Sequence, residues 1–233
     1  MNKRVAIIQS NYIPWIGYFN IIQCVDHFVL LDDVQFTRRD WRNRNLIKTK
    51  SGLKWLTIPV DVKGNFHIAI KDVYATDSDW RSDHWNRIVD GYRTAPYFDW
   101  IAPAIENFYL NSQEQNLSKI NHHCISLVNS ILKIETPIHW SMDFNSPTDK
   151  TERLVHICKA LHATEYLSGP AAKNYLNVML FQQEGIRVLW ADYPNYPPYH
   201  QLHPPFTPHV SVIDLLFNEG PHAARLLKSK IWD

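Results

Sequence analysis

Apolar positions along the chain follow a strand rhythm at both ends and a helical rhythm in the middle. Residues 4–9, "RVAIIQ", are a continuous, largely β-branched run of the kind a strand buried on both faces requires. Pro14 and Gly17 then punctuate a polar and aromatic stretch. After it Phe19, Ile22 and Val25 recur at helical spacing, with Tyr18 and Ile21 beside them. "HFVLLDDV" (27–34) reads as a second buried strand ending on Asp32 and Asp33. Strand, helix and strand in about thirty residues match a βαβ unit, which implies parallel pairing and a right-handed crossover. In such sheets the ligand crevice lies beyond the carboxyl ends of the strands. Residues 9–15 and 32–36 are therefore expected there, side by side.

Residues 53–60 ("LKWLTIPV") and 67–75 ("HIAIKDVYA") read as strands around the turn "DVKGN". From Trp80 to Ile134, three segments show i, i+3/i+4 apolar spacing, broken by Pro96 and the polar "NSQEQN". Beyond Pro147 the α/β rhythm returns. A helix over 151–163 carries Leu154, Ile157, Cys158 and Leu161 on one face, followed by a strand (164–169), a helix (173–185) and a strand (186–192). Ser168 and Gly169 fall at the strand-to-helix turn of this second βαβ unit. The pattern predicts an α/β fold, a Rossmann-like parallel sheet built from both ends of the chain, as one domain over residues 1–233 with a helical insertion over about 80–135.

Composition narrows the class. A hydrophobic content of 45% in 233 residues supports a sizeable core, and a net charge of +1 argues against nucleic acid as partner. Glycine is scarce (7) beside Trp (9) and Tyr (11), a mix suited to a rigid, aromatic-lined pocket. Cys24, Cys124 and Cys158 lack CxxC spacing and read as buried thiols of a reducing compartment. The apolar run after "MNKR" is too short for a signal peptide, and no segment reaches the length of a membrane span. The expected location is the cytoplasm.

Three stretches could carry chemistry. In the loop after the first strand, Gln9, Asn11, Tyr12, Trp15 and Tyr18 bring amide, phenol and indole groups to the predicted crevice, where they can bind a base, sugar or carboxylate. The structural alternative is a turn fixed by Pro14 and capped by Asn11. In "LLDDVQFTRRDWRNRN", Asp32 and Asp33 are followed by Arg38, Arg39, Arg42, Arg44 and Lys48. Arginine forks suit a pyrophosphate or a phosphopantetheine phosphate, and a carboxylate can take an amine's proton. The alternative is a set of salt bridges with Asp32, Asp33 and Asp40. Adjacent strand residues point to opposite faces, so a metal held by both aspartates is not expected. In "YHQLHPPFTPHVS", a single histidine, His200, is the candidate base, and Tyr199 and Gln201 have no evident structural role. His203 and His209 complete no tetrahedral ligand set, so no metal is assigned. Ser211 is a candidate helix cap, with Asp214 completing a capping box. The chain lacks GxSxG, Walker A, GxGxxG and HExxH patterns.

"AIIQSNYIPWIGYF", "DHFVLLDDVQFTRRDWRNRN", "WLTIPV", "YLSGPAAKNYL" and "YHQLHPPFTPHVSVIDLLFNEG" resemble, in this order and over essentially the whole chain, the WbqC-like family. Members are associated with bacterial O-antigen and other surface-polysaccharide gene sets. The resemblance transfers Gln9, Asn11, Tyr12, Pro14, Trp15, Gly17, Tyr18, Asp32, Asp33, Gln35, Arg38, Asn43, Arg44, Ser168, Gly169, Gln201, Ser211 and Asp214. The N-terminal βαβ unit is also similar to nucleotidyltransferase-type ligases such as pantothenate synthetase. Their phosphate-binding H-x-G-H stretch corresponds to Trp15-Ile16-Gly17-Tyr18 here, and both histidines are absent.

The resemblance implies a cytoplasmic role in building or decorating a sugar nucleotide, and the leading reading of the residues is an enzyme that joins an acyl or aminoacyl group to a nucleotide-linked amino sugar. In this reading the arginines hold a diphosphate, Gln9, Asn11 and Tyr12 orient the sugar, and Asp32, Asp33 or His200 accepts the amine proton. Trp15, Tyr18, Gln35, Asn43, Ser168, Gly169, Tyr199 and Gln201 complete the expected substrate-binding set. No cofactor is required; ATP or a phosphopantetheine carrier is the candidate donor, and an acyl carrier protein the candidate partner. A glycosyltransferase and a non-enzymatic scaffold of the same pathway are the alternatives.

Overall fold

The computed structural model describes residues 2–193 and 196–232; Asn195, the first residue of the predicted C-terminal loop, lies outside them. Strand β1 (Arg4–Ile8) leads through helix α1 (Ile16–Gln23) into β2 (His27–Leu30). A hairpin of β3 (Arg44–Thr49) and β4 (Gly52–Thr57) follows, then helices α2 (Asp79–Tyr92), α3 (Phe98–Leu110) and α4 (Leu117–Leu132). β5 (Ile138–Trp140), α5 (Lys150–Ala160), β6 (Glu165–Ser168), α6 (Val178–Gln183) and β7 (Arg187–Trp190) return to α/β alternation, and α7 (Val212–Glu219) comes last.

The main sheet has five strands in the order β5-β2-β1-β6-β7, every pair parallel. Starting at β1, the chain builds outward to β5, then returns to the other side of β1 and builds outward again. This is a Rossmann-like order, and its reversal lies between β1 and β6. Both faces of the sheet are buried, as the unbroken apolar runs require. Ala6, Phe28 and Leu30 face a core that holds α1, α2, α3, α4 and α7, while Val5, Ile7 and Val29 face a second core with Leu154, Ile157 and Phe181. Cys24, Cys124 and Cys158 are free and buried. No helix among the described residues is long and apolar enough to cross a membrane.

The mid-chain strands differ from the expectation. The hairpin turns at Lys50–Ser51, one strand earlier than predicted, because Gly52 takes a φ of +99° and Thr49 Oγ1 donates to its carbonyl at 2.8 Å. β4 therefore pairs with β3, which begins in the basic stretch, and residues 67–75 make only isolated bridges, Ala69 with Gln35, Tyr74 with Asn116 and Ala75 with Val60. They lie across the end of β2 instead, with Ile70 N on Val34 O and Lys71 N on Asp32 O, and bury Ile70 and Val73 without forming a strand. The helix expected over 173–185 starts only at Val178, where Asn177 caps the Met179 N–H. β5, "IHW" after Pro137, is an edge strand of the sheet that the apolar pattern did not predict.

Candidate functional site

The reversal of strand order sets the carboxyl ends of β1 and β6 side by side, and a cleft of about 360 Å³ opens there. Gln9, Ser168 and Gly169 line it from the strand ends, Lys150 and Arg153 from α5, and Tyr175 and Tyr193 from the loops beyond β6 and β7. Asp149 fixes the start of α5 by accepting from the Thr151 and Glu152 N–H groups at 2.8 and 2.9 Å. Lys150 and Arg153, three residues apart, then share a helix face toward the cleft. Arg153 Nε donates to Pro147 O at 3.1 Å, and a terminal nitrogen lies 3.7 Å from Asp33 Oδ2. Asp33 Oδ1 accepts from the Ser141 hydroxyl at 2.6 Å. Two cations thus line the cleft, and Asp33, just outside its lining, meets it through Arg153; all three are within reach of solvent.

Asp32 points the other way, as alternation along a strand demands. It is wholly buried, accepting from Ser10 N at 2.8 Å and from the Ser118 hydroxyl. Burial pushes its carboxyl above the usual range, and those hydrogen bonds pull it partly back. Asp32 ties β2 to the loop after β1 and to α4, a scaffold position closed to ligand. Arg42 completes the anchor, with one nitrogen near the carbonyls of Gln9 and Ser10 (3.4 and 3.3 Å) and on Asn11 Oδ1. Tyr18, also buried, donates to Gln9 O at 3.1 Å. Tyr12 leaves the ligand set altogether, because its side chain is in the core between Tyr109 Oη (2.6 Å) and His84 Nδ1 (2.8 Å). Burial pushes both phenols up and His84 down to about 4.

Asn11 and Trp15 line a different cavity, of about 220 Å³, with Pro14, Trp41, Asn45 and His209. The Trp15 ring lies 5.2 Å from that of Tyr193, so the wall of this cavity adjoins the wall of the cleft.

The remaining predicted residues lie elsewhere. Arg38 donates to Val62 O and packs over Phe66, Gln35 donates to Phe66 O, and Asn43 holds Ile58 O at 2.8 Å. Arg44 lies over the Trp55 ring and donates to Arg39 O. None of the four lines the cleft, while Arg38 and Asn43 line a separate, open depression of about 300 Å³ with Arg39, Asp61 and Lys63. Tyr199 and Gln201 have a structural role after all, since both donate to Asp214 Oδ1, at 2.7 and 2.8 Å. Asp214 therefore forms no capping box, although Ser211 caps α7 through the Ile213 N–H at 3.3 Å. His200 is exposed and lines neither cavity, whereas His209 of the same loop does line one.

Sequence reasoning missed Lys150 and Arg153. A signal was present, because cations in the first turn of a helix oppose its macrodipole and call for another purpose. Among the described residues, no group of three or more His, Cys, Asp and Glu side chains is arranged to hold a metal ion.

No solved structure matches the chain. It is similar to the uncharacterized protein Rv1507c of Mycobacterium tuberculosis (strain ATCC 25618 / H37Rv), 46% identical over 230 residues, which is 97% of this chain and 98% of that one. The model of the WbqC-like protein family matches residues 9–226, a span that takes in the smaller cavity and all of the cleft lining except Ile7 and Ile8. The chain belongs to the WbqC-like protein family.

Proposed function

We propose that the protein is an enzyme of bacterial surface-polysaccharide or related sugar biosynthesis that joins an acyl or aminoacyl group to a nucleotide-linked amino sugar. The observation that carries this reading is the pair of cations, Lys150 and Arg153, lining the cleft at the strand-order reversal, with Asp33 beside Arg153. Two cations on one helix face suit a diphosphate, and the guanidinium adds directional donors. Asp33, beside them, is the acceptor for the amine proton. In the reaction the amine nitrogen attacks the carbonyl carbon of an activated acyl donor, a carrier thioester or an acyl phosphate. The C–N bond forms, the bond to the thiolate or phosphate breaks with its electron pair, and the proton passes to Asp33. Positioning and one base are the main requirements.

The test is calorimetry and thermal unfolding with a uridine-diphosphate amino sugar, coenzyme A and ATP, followed by mass analysis of the sugar product with an acyl donor. A ligand of the native state at 100 times its Kd adds about 2.7 kcal/mol of stability. Arg153→Gln should cut that gain to about 1.4 kcal/mol at the same ligand concentration, while Asp33→Asn should keep binding and slow transfer on the order of 100-fold or more. No stabilisation by any of them, or binding indifferent to Arg153, overturns the reading. Transfer of the sugar itself to an acceptor assigns a glycosyltransferase instead.

A further inference from the structure

We infer that the cavity lined by Asn11, Pro14, Trp15, Trp41, Asn45 and His209 is a second small-molecule subsite, one that takes an uncharged pyranose ring. Binding there is independent of the reaction proposed above; that this ring is the sugar of the nucleotide-linked substrate rests on that reading.

Size and charge come first. At about 220 Å³ the cavity is smaller than the roughly 300–1,000 Å³ typical of drug-sized ligands, so it suits one ring rather than a whole nucleotide. No Lys, Arg, Asp or Glu lines it, in contrast to the neighbouring cleft. Its apolar surface is largely indole, whose electron-rich face attracts the C–H face of a pyranose while leaving the sugar hydroxyls free at the ring edge.

The polar groups are set for such a ring. Asn45 is fully engaged, donating to Tyr12 O (3.1 Å) and Ile13 O (2.9 Å) and accepting from Leu46 N (2.8 Å), so it is a rigid wall. Asn11 is different. Its oxygen faces the Arg42 guanidinium, which can only donate, and its amide nitrogen has no acceptor among the described residues. That nitrogen is a fixed donor for a sugar oxygen. The backbone that carries these groups is strained, because Ile13 holds a φ of 37° in the left-handed region. Gly17 makes room for Trp15, since a Cβ at that position would overlap the indole.

The aromatic surface continues outward. Trp41, 43% exposed, lies 5.6 Å from the Trp55 ring, itself 40% exposed and covered by Arg44. Inward, Gln9 lines the cleft and Asn11 the cavity, and two residues of chain span at most about 7 Å. A sugar and the diphosphate attached to it fit that separation.

Saturation-transfer NMR on the full chain tests the subsite, with methyl β-D-glucopyranoside, N-acetylglucosamine, adenosine and uridine diphosphate as probes. The expected result is transfer to the ring protons of at least one glycoside. Its Kd should rise at least tenfold in Trp41→Ala and in Asn11→Asp, which keeps the oxygen that holds Arg42 and removes the amide donor, both checked for an unchanged melting curve, and stay the same in Arg153→Gln. No transfer to either sugar, or transfer unchanged in Trp41→Ala, overturns the subsite. Trp41-dependent binding of adenosine in preference to both sugars overturns the pyranose assignment. Trp41-dependent sugar binding with no uridine diphosphate binding sinks the proposed reaction and leaves the subsite standing. Arg153-dependent uridine diphosphate binding without sugar binding does the reverse.

Discussion

Asp214 and Asp33 each sit beside a basic residue and a hydroxyl, Asp214 within the helical layer and Asp33 on the carboxyl edge of the sheet. Asp214 is 1% exposed and accepts from Tyr92 (3.0 Å), Tyr199 (2.7 Å) and Gln201 (2.8 Å). Lys48, the cation of that cluster, donates to Gln201 Oε1 at 2.5 Å and to Pro205 O. Each member answers another, and the cluster closes on itself. Asp33 has one short hydrogen bond, and its ion pair with Arg153 is loose at 3.7 Å. Lys150, the second cation of the cleft, is exposed. The two clusters hold similar groups, so residue type does not separate scaffold from site. What separates them is whether neighbours have already used the donors and acceptors.

The two aspartates should part most widely when each is truncated. Asp214→Ala leaves two phenols and an amide without their shared acceptor and takes away the negative charge near the Lys48 ammonium, and the expected loss is on the order of 3–5 kcal/mol in urea unfolding. Asp33→Ala should cost less than about 1 kcal/mol, since a partly exposed pair contributes little. Equal losses would mean that both clusters are scaffold.

The helical layer should also reveal itself in acid. Burial lowers His84 from 6.5 to about 4, so the fold favours the neutral ring. The stability this confers is complete above pH 6.5 and is lost as the pH falls toward 4, about 3 kcal/mol in all. Asp32 and Asp214, raised by burial, run the other way: their contribution is present below 3.8 and is lost as the pH rises through their folded values. Comparing His84→Gln with the parent chain isolates the histidine. The loss of stability between pH 6.5 and 4 should shrink by about 3 kcal/mol in the variant, and an unchanged slope would remove His84 as its source.

Much of this architecture is legible in the chain. Unbroken apolar runs mark β1, β2, β6 and β7, and helical spacing marks α2, α3 and α4. Because ligands gather at strand ends, the apolar pattern brings Gln9 to the cleft and sets Ser168 and Gly169 at the turn that borders it, although only the family resemblance marked those two as ligand residues. β5 is hidden because three residues after a proline carry no period. Arg38 and Arg44 stand out by density alone, yet β3 begins at Arg44 and carries it to the hairpin, over Trp55. Tyr199 and Gln201 look unoccupied in the sequence because their partner Asp214 lies on α7, and only the folded chain joins them. Lys150 and Arg153 come to Gln9 across a crossover that local sequence cannot show.

Arg153→Gln tells the two clusters apart with the smallest change in stability. The side chain donates to Pro147 O and pairs loosely with Asp33, so its loss should move unfolding by no more than about 1 kcal/mol. Asp33 keeps its Ser141 hydroxyl and its access to water, and the variant leaves no carboxylate stranded in the interior. Binding should respond far more than folding does. With pyrophosphate as the probe, the Kd should rise about tenfold, equivalent to about 1.4 kcal/mol, as a directional charged donor is removed from the cleft. Lys150→Gln should weaken binding by less, because an ammonium is a point charge without the guanidinium's fork. If Arg153→Gln instead melts the protein as deeply as Asp214→Ala, the edge cluster is as structural as the buried one. A small shift in unfolding with a large shift in affinity is the pattern that a built anion site requires and a buried scaffold cluster cannot produce.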